Sequence, residues 1–334
     1  MSTGSAIPVR ALRPRRLALS ELSLGCSQLG NLYRTVSDQV ARATVESAWA
    51  LGIRYYDTAP HYGLGLSERR VGAALAGRPR ADYVLSTKVG RLLEPVEHVD
   101  GLDDDGFAVP ATHRRVWDFS RHGIRRSLEE SLGRLGLDRV DIVYLHDPDD
   151  HWEDVVKSGY PALAELRDEG VVGAIGAGMN QSRMLTDLVR LADVDVVMLA
   201  SRYTLLEQGA LDDLLPACQE CSVSVVVAGI FKSGLLARPR PADGARYDYG
   251  HAPRELVERA RAIASVCERH GTTLPAAAIA FPLAHPAVAS VCVGARSPEQ
   301  VERNVGLYRE PIAPELWRAL KAERLLREDA PTPV

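Results

Sequence analysis

Val194-Asp195-Val196-Val197-Met198-Leu199 and, further on, Val223-Ser224-Val225-Val226-Val227 decide the fold. Both runs are apolar or β-branched almost throughout and do not alternate. A strand with one wet face alternates apolar and polar residues. A continuous run suits a strand covered on both faces, as in a parallel sheet under helices. Outward from this pair, similar runs recur at wide intervals: Glu21–Gly25, Ile53–Ala59, Tyr83–Val89, Val140–His146, Val171–Ala177 and Val288–Gly294, with Val194–Ala200 and Ser222–Gly229 bringing the set to eight strands. Helical patterns separate them. Asp38–Leu51 carries Val40, Val45, Ala48 and Trp49 as an apolar stripe, and Ser120–Leu135 opens on a Ser N-cap and repeats Ile124, Leu128, Leu132 and Leu135. Tyr160–Glu169, Gln181–Leu191, Ala210–Cys221, Arg254–His270 and Pro298–Leu307 follow.

Strands alternating with helices predict parallel βα units. With this length, the expected fold is an α/β, closed (β/α)8 TIM barrel in one domain over residues 1–334, with residues 309–334 as a C-terminal extension. A doubly wound open sheet is the alternative. Gly25-Cys26-Ser27-Gln28-Leu29-Gly30 speaks against it, because it lacks the glycine spacing of a dinucleotide-binding turn. Two connections are long, residues 91–119 and 236–253. Both follow strand C-termini, the active face of such a barrel. The first holds Asp103-Asp104-Asp105, which reads as a solvated acidic turn rather than a metal site; no metal is expected.

Composition narrows the function classes. The net charge of −4 gives no field for nucleic acid. No apolar run is long enough to span a membrane, and the basic stretch Arg10, Arg13, Arg15, Arg16 lacks the apolar segment of a secretory signal, so a cytoplasmic enzyme is expected. Five irregularly spaced cysteines form no disulfide framework, and Cys218-x-x-Cys221 reads as a helix end with a buried thiol. Basic residues are almost all arginine. The only lysines are Lys88, Lys157, Lys232 and Lys321, so a lysine at a special place merits inspection.

Four polar residues fall at or just past the ends of successive strands: Asp57, Tyr62, Lys88 and His146. Each follows a run that should be buried. Together they place an acid, a base, a phenol and an imidazole on one face. A lysine cation should lower the pKa of a neighbouring phenol, an aspartate can hold that lysine, and a neutral histidine can donate to a carbonyl oxygen. This set suits proton exchange at an oxygen while a hydride moves at its carbon. The hydride partner must be a cofactor.

The stretch Asp57-Thr58-Ala59-Pro60-His61-Tyr62-Gly63-Leu64-Gly65-Leu66-Ser67-Glu68 resembles the D-T-A-x-x-Y-G-x-G-x-S-E signature of the aldo-keto reductases. Ser86-Thr87-Lys88 and Leu145-His146 resemble two further strand ends of that family, and Gly294–Asn304 resembles its segment for the adenosine end of the cofactor. The resemblance covers about residues 17–308. It implies a (β/α)8 barrel, a small-molecule substrate, NAD or NADP bound without a Rossmann domain, Tyr62 as proton donor or acceptor tuned by Asp57 and Lys88, and His146 orienting the substrate oxygen. Cofactor contacts carried over are Ser27, Asp57, Asn180, Gly229, Ile230, Phe231, Ser233, Gly234, Gly294, Ala295, Arg296, Gln300 and Asn304. The chain departs from the family pattern at Gly178-Met179, Ala200 and Ala228, so the nicotinamide is held differently, by Phe231 or Asn180. Gly294 and Gln300 stand where relatives that prefer NADPH often place cations. That favours NAD, with Arg296 available to a 2′-phosphate.

Leu199–Gln208 and Ala228–Gly234 are similar to a subgroup that oxidises sugars, the aldose 1-dehydrogenases acting on L-fucose-like sugars, with pyridoxal 4-dehydrogenases and plant L-galactose dehydrogenases alongside. The implied reaction is an aldopyranose to its lactone, with Tyr62 as general base. Candidate sugar contacts are His113, Trp117, Arg202 and Tyr247, Arg202 being equally suited to a salt bridge. The alternatives are a pyridoxal dehydrogenase, an NADPH-dependent aldehyde or ketone reductase, and a dinucleotide-binding regulatory subunit. A monomer or homodimer is expected.

Overall fold

The computed structural model describes residues 6–12, 15, 17–248 and 250–334. Arg13 and Arg16 of the basic stretch, and Tyr249 of the second long connection, lie outside the described residues. Eight parallel strands close into a barrel: β1 (Leu22–Gly25), β2 (Tyr55–Asp57), β3 (Val84–Val89), β4 (Ile142–His146), β5 (Ala174–Met179), β6 (Val196–Ala200), β7 (Ser224–Ala228) and β8 (Val288–Gly294). Each pairs with its sequence neighbours, and β8 closes on β1 through Val291–Leu22 to Gly294–Gly25. The runs that opened the argument are β6 and β7, paired in register from Val196–Ser224 to Ala200–Ala228. They lie under helices on one side and the barrel interior on the other, which is why they do not alternate.

The interior is a separate small core. Tyr55, Val84, Ile142, Tyr144, Ala174, Val196, Met198, Val226, Ala289 and Cys292 fill it. Its base is plugged by an antiparallel hairpin, Val9–Leu12 with Leu17–Ser20, which contributes the fully buried Leu12 and Leu19. Below the sheet, buried Asp195 holds Arg15 at 2.5 Å and Arg167 at 3.2 Å. The larger core lies between strands and helices.

Helix Arg121–Leu135 starts at Ser120, whose Oγ accepts from Gly123 N at 3.0 Å, as the capping pattern implies. The Asp38–Ala50 helix buries Ala41, Thr44, Val45 and Ala48, whereas Val40 is exposed. The apolar stripe is therefore rotated from the one read in the sequence. Ala210–Cys221 is helical only over Leu214–Glu220, after a short 3-10 turn. Helices at Leu66–Leu75, Leu274–Leu283 and Pro314–Ala322 are additional to those read in the sequence. The last buries Leu316, Trp317 and Leu320, so the C-terminal segment is packed onto the barrel. Cys218 is buried and Cys221 exposed, and all five thiols are free.

Both long connections carry structure of their own. Arg91–Pro95 pairs antiparallel with His113–Trp117, and Arg246–Tyr247 pairs with Gly250–His251. Among the described residues, no helix is long and apolar enough to cross a membrane.

Candidate active site

β2, β3 and β4 bring Asp57, Lys88 and His146 to the C-terminal mouth of the barrel, and the loop after β2 returns Tyr62 to them. The signature motif explains that return. Ser67 Oγ donates to Cys26 O at 2.7 Å and shares a hydrogen bond with Thr58 at 2.9 Å. Buried Glu68 accepts from Thr87 Oγ1 at 2.7 Å and Arg134 Nε at 2.6 Å. The motif's polar end is scaffold that pins the tyrosine loop.

Lys88 Nζ spends its three N–H groups on Asp57 Oδ2 (2.6 Å), Tyr62 Oη (3.0 Å) and Thr58 O (3.2 Å). Burial alone would strip its charge, but Asp57 and Tyr62 outweigh burial and hold the ammonium protonated. The Tyr62 oxygen accepts from Lys88, which leaves its own O–H free to exchange a proton with a ligand. One expectation is corrected here. Lys88 does act to lower the Tyr62 pKa, yet burial wins and the phenol lies above its ordinary value. At neutral pH, without a ligand, Tyr62 is an acid waiting to donate.

A hydrogen-bond chain inside the barrel fixes Asp57, and sequence reading missed it. Ser86 Oγ donates to Asp57 Oδ1 at 2.7 Å. Its single proton is then used, so it accepts from Tyr55 OH at 3.0 Å, and Tyr55 in turn accepts from Tyr144 OH at 3.2 Å. His146 is kept neutral by burial and by the cations Arg91 and Lys88. Its Nδ1 is buried without a partner among the described residues, while Nε2 stands 3.6 Å from Asp147 Oδ2. A buried N–H without an acceptor is the costlier orphan, so the proton sits on Nε2. That is the tautomer able to donate to a substrate oxygen.

The first long connection walls one side. Leu93, Phe107 and Val109 pack with Leu64, and Tyr62 lies against them. Asp103 is buried and pairs with Arg115 at 2.6 Å, and Asp105 joins at 2.7 Å. The acidic triplet is thus not simply a solvated turn: Arg115 must be neutralised where it donates to His61 O at 3.1 Å. Trp117 stacks on Phe119 beneath the Arg91 guanidinium. His113 shares a hydrogen bond with its neighbour Thr112 at the far end of the hairpin.

Apart from Asp57 on β2, the residues carried over as cofactor contacts follow the C-terminal ends of β5, β7, β8 and β1. Asn180 follows β5. Gly229, Ile230, Phe231, Ser233 and Gly234 form the turn after β7, where Gly229 needs its φ of +64° and a side chain would strike Ser201. Lys232 underlies this turn, and it too was missed. It is fully buried and ion-paired with Glu207 and with Asp248 at 3.2 Å, and it donates to Ser201 O at 2.9 Å. Arg202 pairs with the same Asp248 at 2.8 Å, and Tyr247 donates to Glu207 at 2.5 Å, so both serve this network. Of four lysines, two are thus buried against carboxylates at the barrel mouth.

At the far end, Gly294 faces Gln28 so closely that a Cβ would come within 2.5 Å of its Oε1, an oxygen buried without a donor among the described residues. Ser27 begins the 3-10 turn that carries Gln28. Arg296 N donates to Gln300 Oε1 at 3.0 Å, and Asn304 is buried nearby in the same helix, Pro298–Arg309. Burial, and then the Arg34 cation, pull Arg296 below the ordinary guanidinium value. A buried amide oxygen without a donor among the described residues, left-handed turn residues and the Arg296 and Arg34 cations suit an anionic dinucleotide.

Residues 21–323 match the Aldo/keto reductase family. The chain belongs to that family. It is an oxidoreductase built for a nicotinamide cofactor and a small-molecule substrate. A D-threo-aldose 1-dehydrogenase of a Pseudomonas species is 50% identical over 321 residues, covering 95% of this chain and 96% of that protein. A pyridoxal 4-dehydrogenase of Microbacterium luteolum is 38% identical, covering 95% and 97%. Among solved structures, the holo form of an aldo-keto reductase from Bacillus halodurans superposes with a TM-score of 0.75 at 28% identity, covering 96% and 97%. The barrel and its family membership accord with the reading of the sequence.

Proposed function

We propose that this aldo/keto reductase oxidises the anomeric carbon of an aldopyranose to the lactone. The observation that carries the chemistry is the complete commitment of Lys88 to Asp57, Thr58 and Tyr62, which leaves one exchangeable proton on Tyr62 beside a neutral His146. Half of the residues shared with an aldose dehydrogenase support the substrate class. Tyr62, ionised, takes the hydroxyl proton, His146 Nε2–H orients the same oxygen, and Lys88, kept charged by Asp57, stabilises the phenolate. When bound, a nicotinamide supplies the hydride acceptor. Ser27, Asp57 and Asn180, the 229–234 turn and the 294–304 segment hold it. NAD is favoured and NADP accepted: Gly294 and Gln300 offer no charge to a 2′-phosphate, while Arg296 beside Arg34 offers some.

An aromatic substrate of the pyridoxal kind is the second reading. Trp117, a partly exposed aromatic at the barrel mouth with the His151 ring 4.9 Å from its own, favours that reading, as does the 38% identical relative. Following reduced-cofactor absorbance across aldoses and pyridoxal-type substrates, with NAD+ and NADP+, tests both. Turnover of aldoses is the expected result. Turnover of pyridoxal alone selects the second reading, and dinucleotide binding without turnover overturns both.

A further inference from the structure

Beside the proton-transfer group lies a second polar set that the reaction at one oxygen does not use. Arg91, at the start of the hairpin over the barrel mouth, donates from Nη2 to Asp147 Oδ2 at 2.6 Å and from Nη1 to His61 Nδ1 at 3.4 Å. Its guanidinium is stacked 4.2 Å from the Trp117 ring centre, which fixes its plane. Arginine only donates, so His61 Nδ1 must be the accepting nitrogen and Nε2 must carry the hydrogen. Burial, reinforced by Arg91 and Arg115, holds His61 neutral, with its pKa lowered to about 2. It is a hydrogen-bond donor at every working pH.

The rings of His61, Tyr62 and His146 form a closed triangle with centroid separations of 6.0, 5.4 and 5.9 Å. An oxygen held between Tyr62 and His146 therefore has His61 on its flank. Asp147 occupies the same flank. It follows His146 directly and adopts φ +39°, a left-handed conformation that costs energy for any residue with a side chain. Its N–H is anchored to Gly178 O at 2.9 Å. Oδ2 is taken by Arg91, while Oδ1 accepts no hydrogen bond among the described residues. The left-handed backbone thus carries a carboxylate to the reacting corner, where Oδ2 neutralises Arg91 and stands 3.6 Å from His146 Nε2 while Oδ1 is left to spare.

We infer that Asp147 Oδ1 and His61 Nε2–H form a subsite for a hydroxyl on the carbon next to the one oxidised, Asp147 accepting from it and His61 donating to it. The substrate class is then an α-hydroxylated hemiacetal, with Arg91 as the positioning residue that orients both partners. This rests on the reading of the site as one that oxidises an aldopyranose. Neither residue takes part in the bond changes. Both act on which sugar is accepted.

The test is steady-state oxidation of an aldopyranose and its 2-deoxy counterpart by the full chain, in wild type, Asp147→Asn and His61→Phe. Asparagine tolerates the left-handed backbone, and phenylalanine keeps the ring packing against Phe107 and His146. A site built around a hydroxyl rejects the analogue lacking it, so wild type should favour the hydroxylated sugar by about 10- to 100-fold in kcat/KM. In each variant the ratio should fall to about threefold or less, because the partner group no longer discriminates. The ratio is the readout, since general damage to the site lowers both rates together. If one variant does not fold, the other decides. A wild-type ratio near one, or a ratio retained in the folded variants, overturns the subsite while leaving aldose oxidation intact. A wild type that oxidises neither sugar overturns the underlying reading and the subsite with it.

Discussion

The proposed proton-transfer corner and the proposed cofactor groove sit on the same barrel mouth but are built differently. In the corner, three of the four residues come from strands, and their partners are strand residues too: Ser86, Tyr55 and Tyr144 fix Asp57, which fixes Lys88, which fixes Tyr62. The groove is made of turns. It holds left-handed Lys232 and Ser233, an unpartnered Gln28 oxygen and two neighbouring arginines. The corner is complete before any ligand arrives, and the groove is complete only with one. A barrel gains precise chemistry from strand ends and adaptable binding from the loops above them.

The sharpest way to break that division is Tyr62→Phe. It removes the exchanging proton and nothing that touches the groove. We expect kcat to fall by about 10³-fold or more, with dinucleotide affinity within about twofold of wild type by fluorescence titration. Wild-type-like turnover would dissolve the corner as a functional unit, and a parallel loss of dinucleotide binding would show that the two regions are one.

Lys88→Met tests the corner's internal order. Lys88 is the cation that opposes burial at Tyr62, so its loss sends an already raised phenol higher. Oxidation needs Tyr62 to accept a proton, so it needs the phenolate. The pH–rate curve for oxidation should therefore move to higher pH, with kcat at pH 7 down by about 10²-fold. Removing Lys88 also strands buried Asp57, which should cost about 3–5 kcal/mol of stability in urea unfolding. A loss of rate with no alkaline shift would mean that Lys88 acts only as scaffold.

The sequence is informative where a function depends on which residue ends a strand. The eight runs and the positions of Asp57, Lys88 and His146 follow from local pattern alone. The chain Tyr144–Tyr55–Ser86 does not, because its members lie on three strands and become neighbours only when the barrel closes. Lys232 had a faint signal, the scarcity of lysine, but its partners Glu207 and Asp248 come from two separate loops. Leu274–Leu283 is apolar on every side, so it offered no helical stripe to read. The Val9–Ser20 hairpin hides for another reason: its strands are four residues each, too short for periodicity to show. The raised pKa of Tyr62 departs from the expectation, as does the pairing of Asp103 and Asp105 with Arg115. Proximity to a cation is visible in a motif, but the depth of burial that opposes it is not.

Lys232→Met probes the groove from below. It leaves Glu207 and Asp248 without their common cation and releases the 229–234 turn from its left-handed geometry. KM for the dinucleotide should rise about tenfold while kcat at saturation changes little, since no corner residue contacts Lys232. A fall in kcat with unchanged KM would move Lys232 out of the binding role.

The mildest change is the most discriminating within the groove. Arg296 lies in the segment that resembles an adenosine site, its guanidinium near Arg34 and, among the described residues, without a carboxylate partner. Two cations facing each other repel, and a 2′-phosphate would relieve that repulsion whereas a 2′-hydroxyl would not. Arg296→Ala should therefore weaken NADP about three- to tenfold, the worth of one exposed charge-assisted contact, and leave NAD within about twofold. Dissociation constants for both cofactors at low and high salt separate the terms. The NADP effect should shrink as salt screens the phosphate, and the NAD values should stay flat. Equal weakening of both would instead assign Arg296 to the adenine or the pyrophosphate, and the preference between the two dinucleotides would then have to come from Gly294 and Gln300 alone.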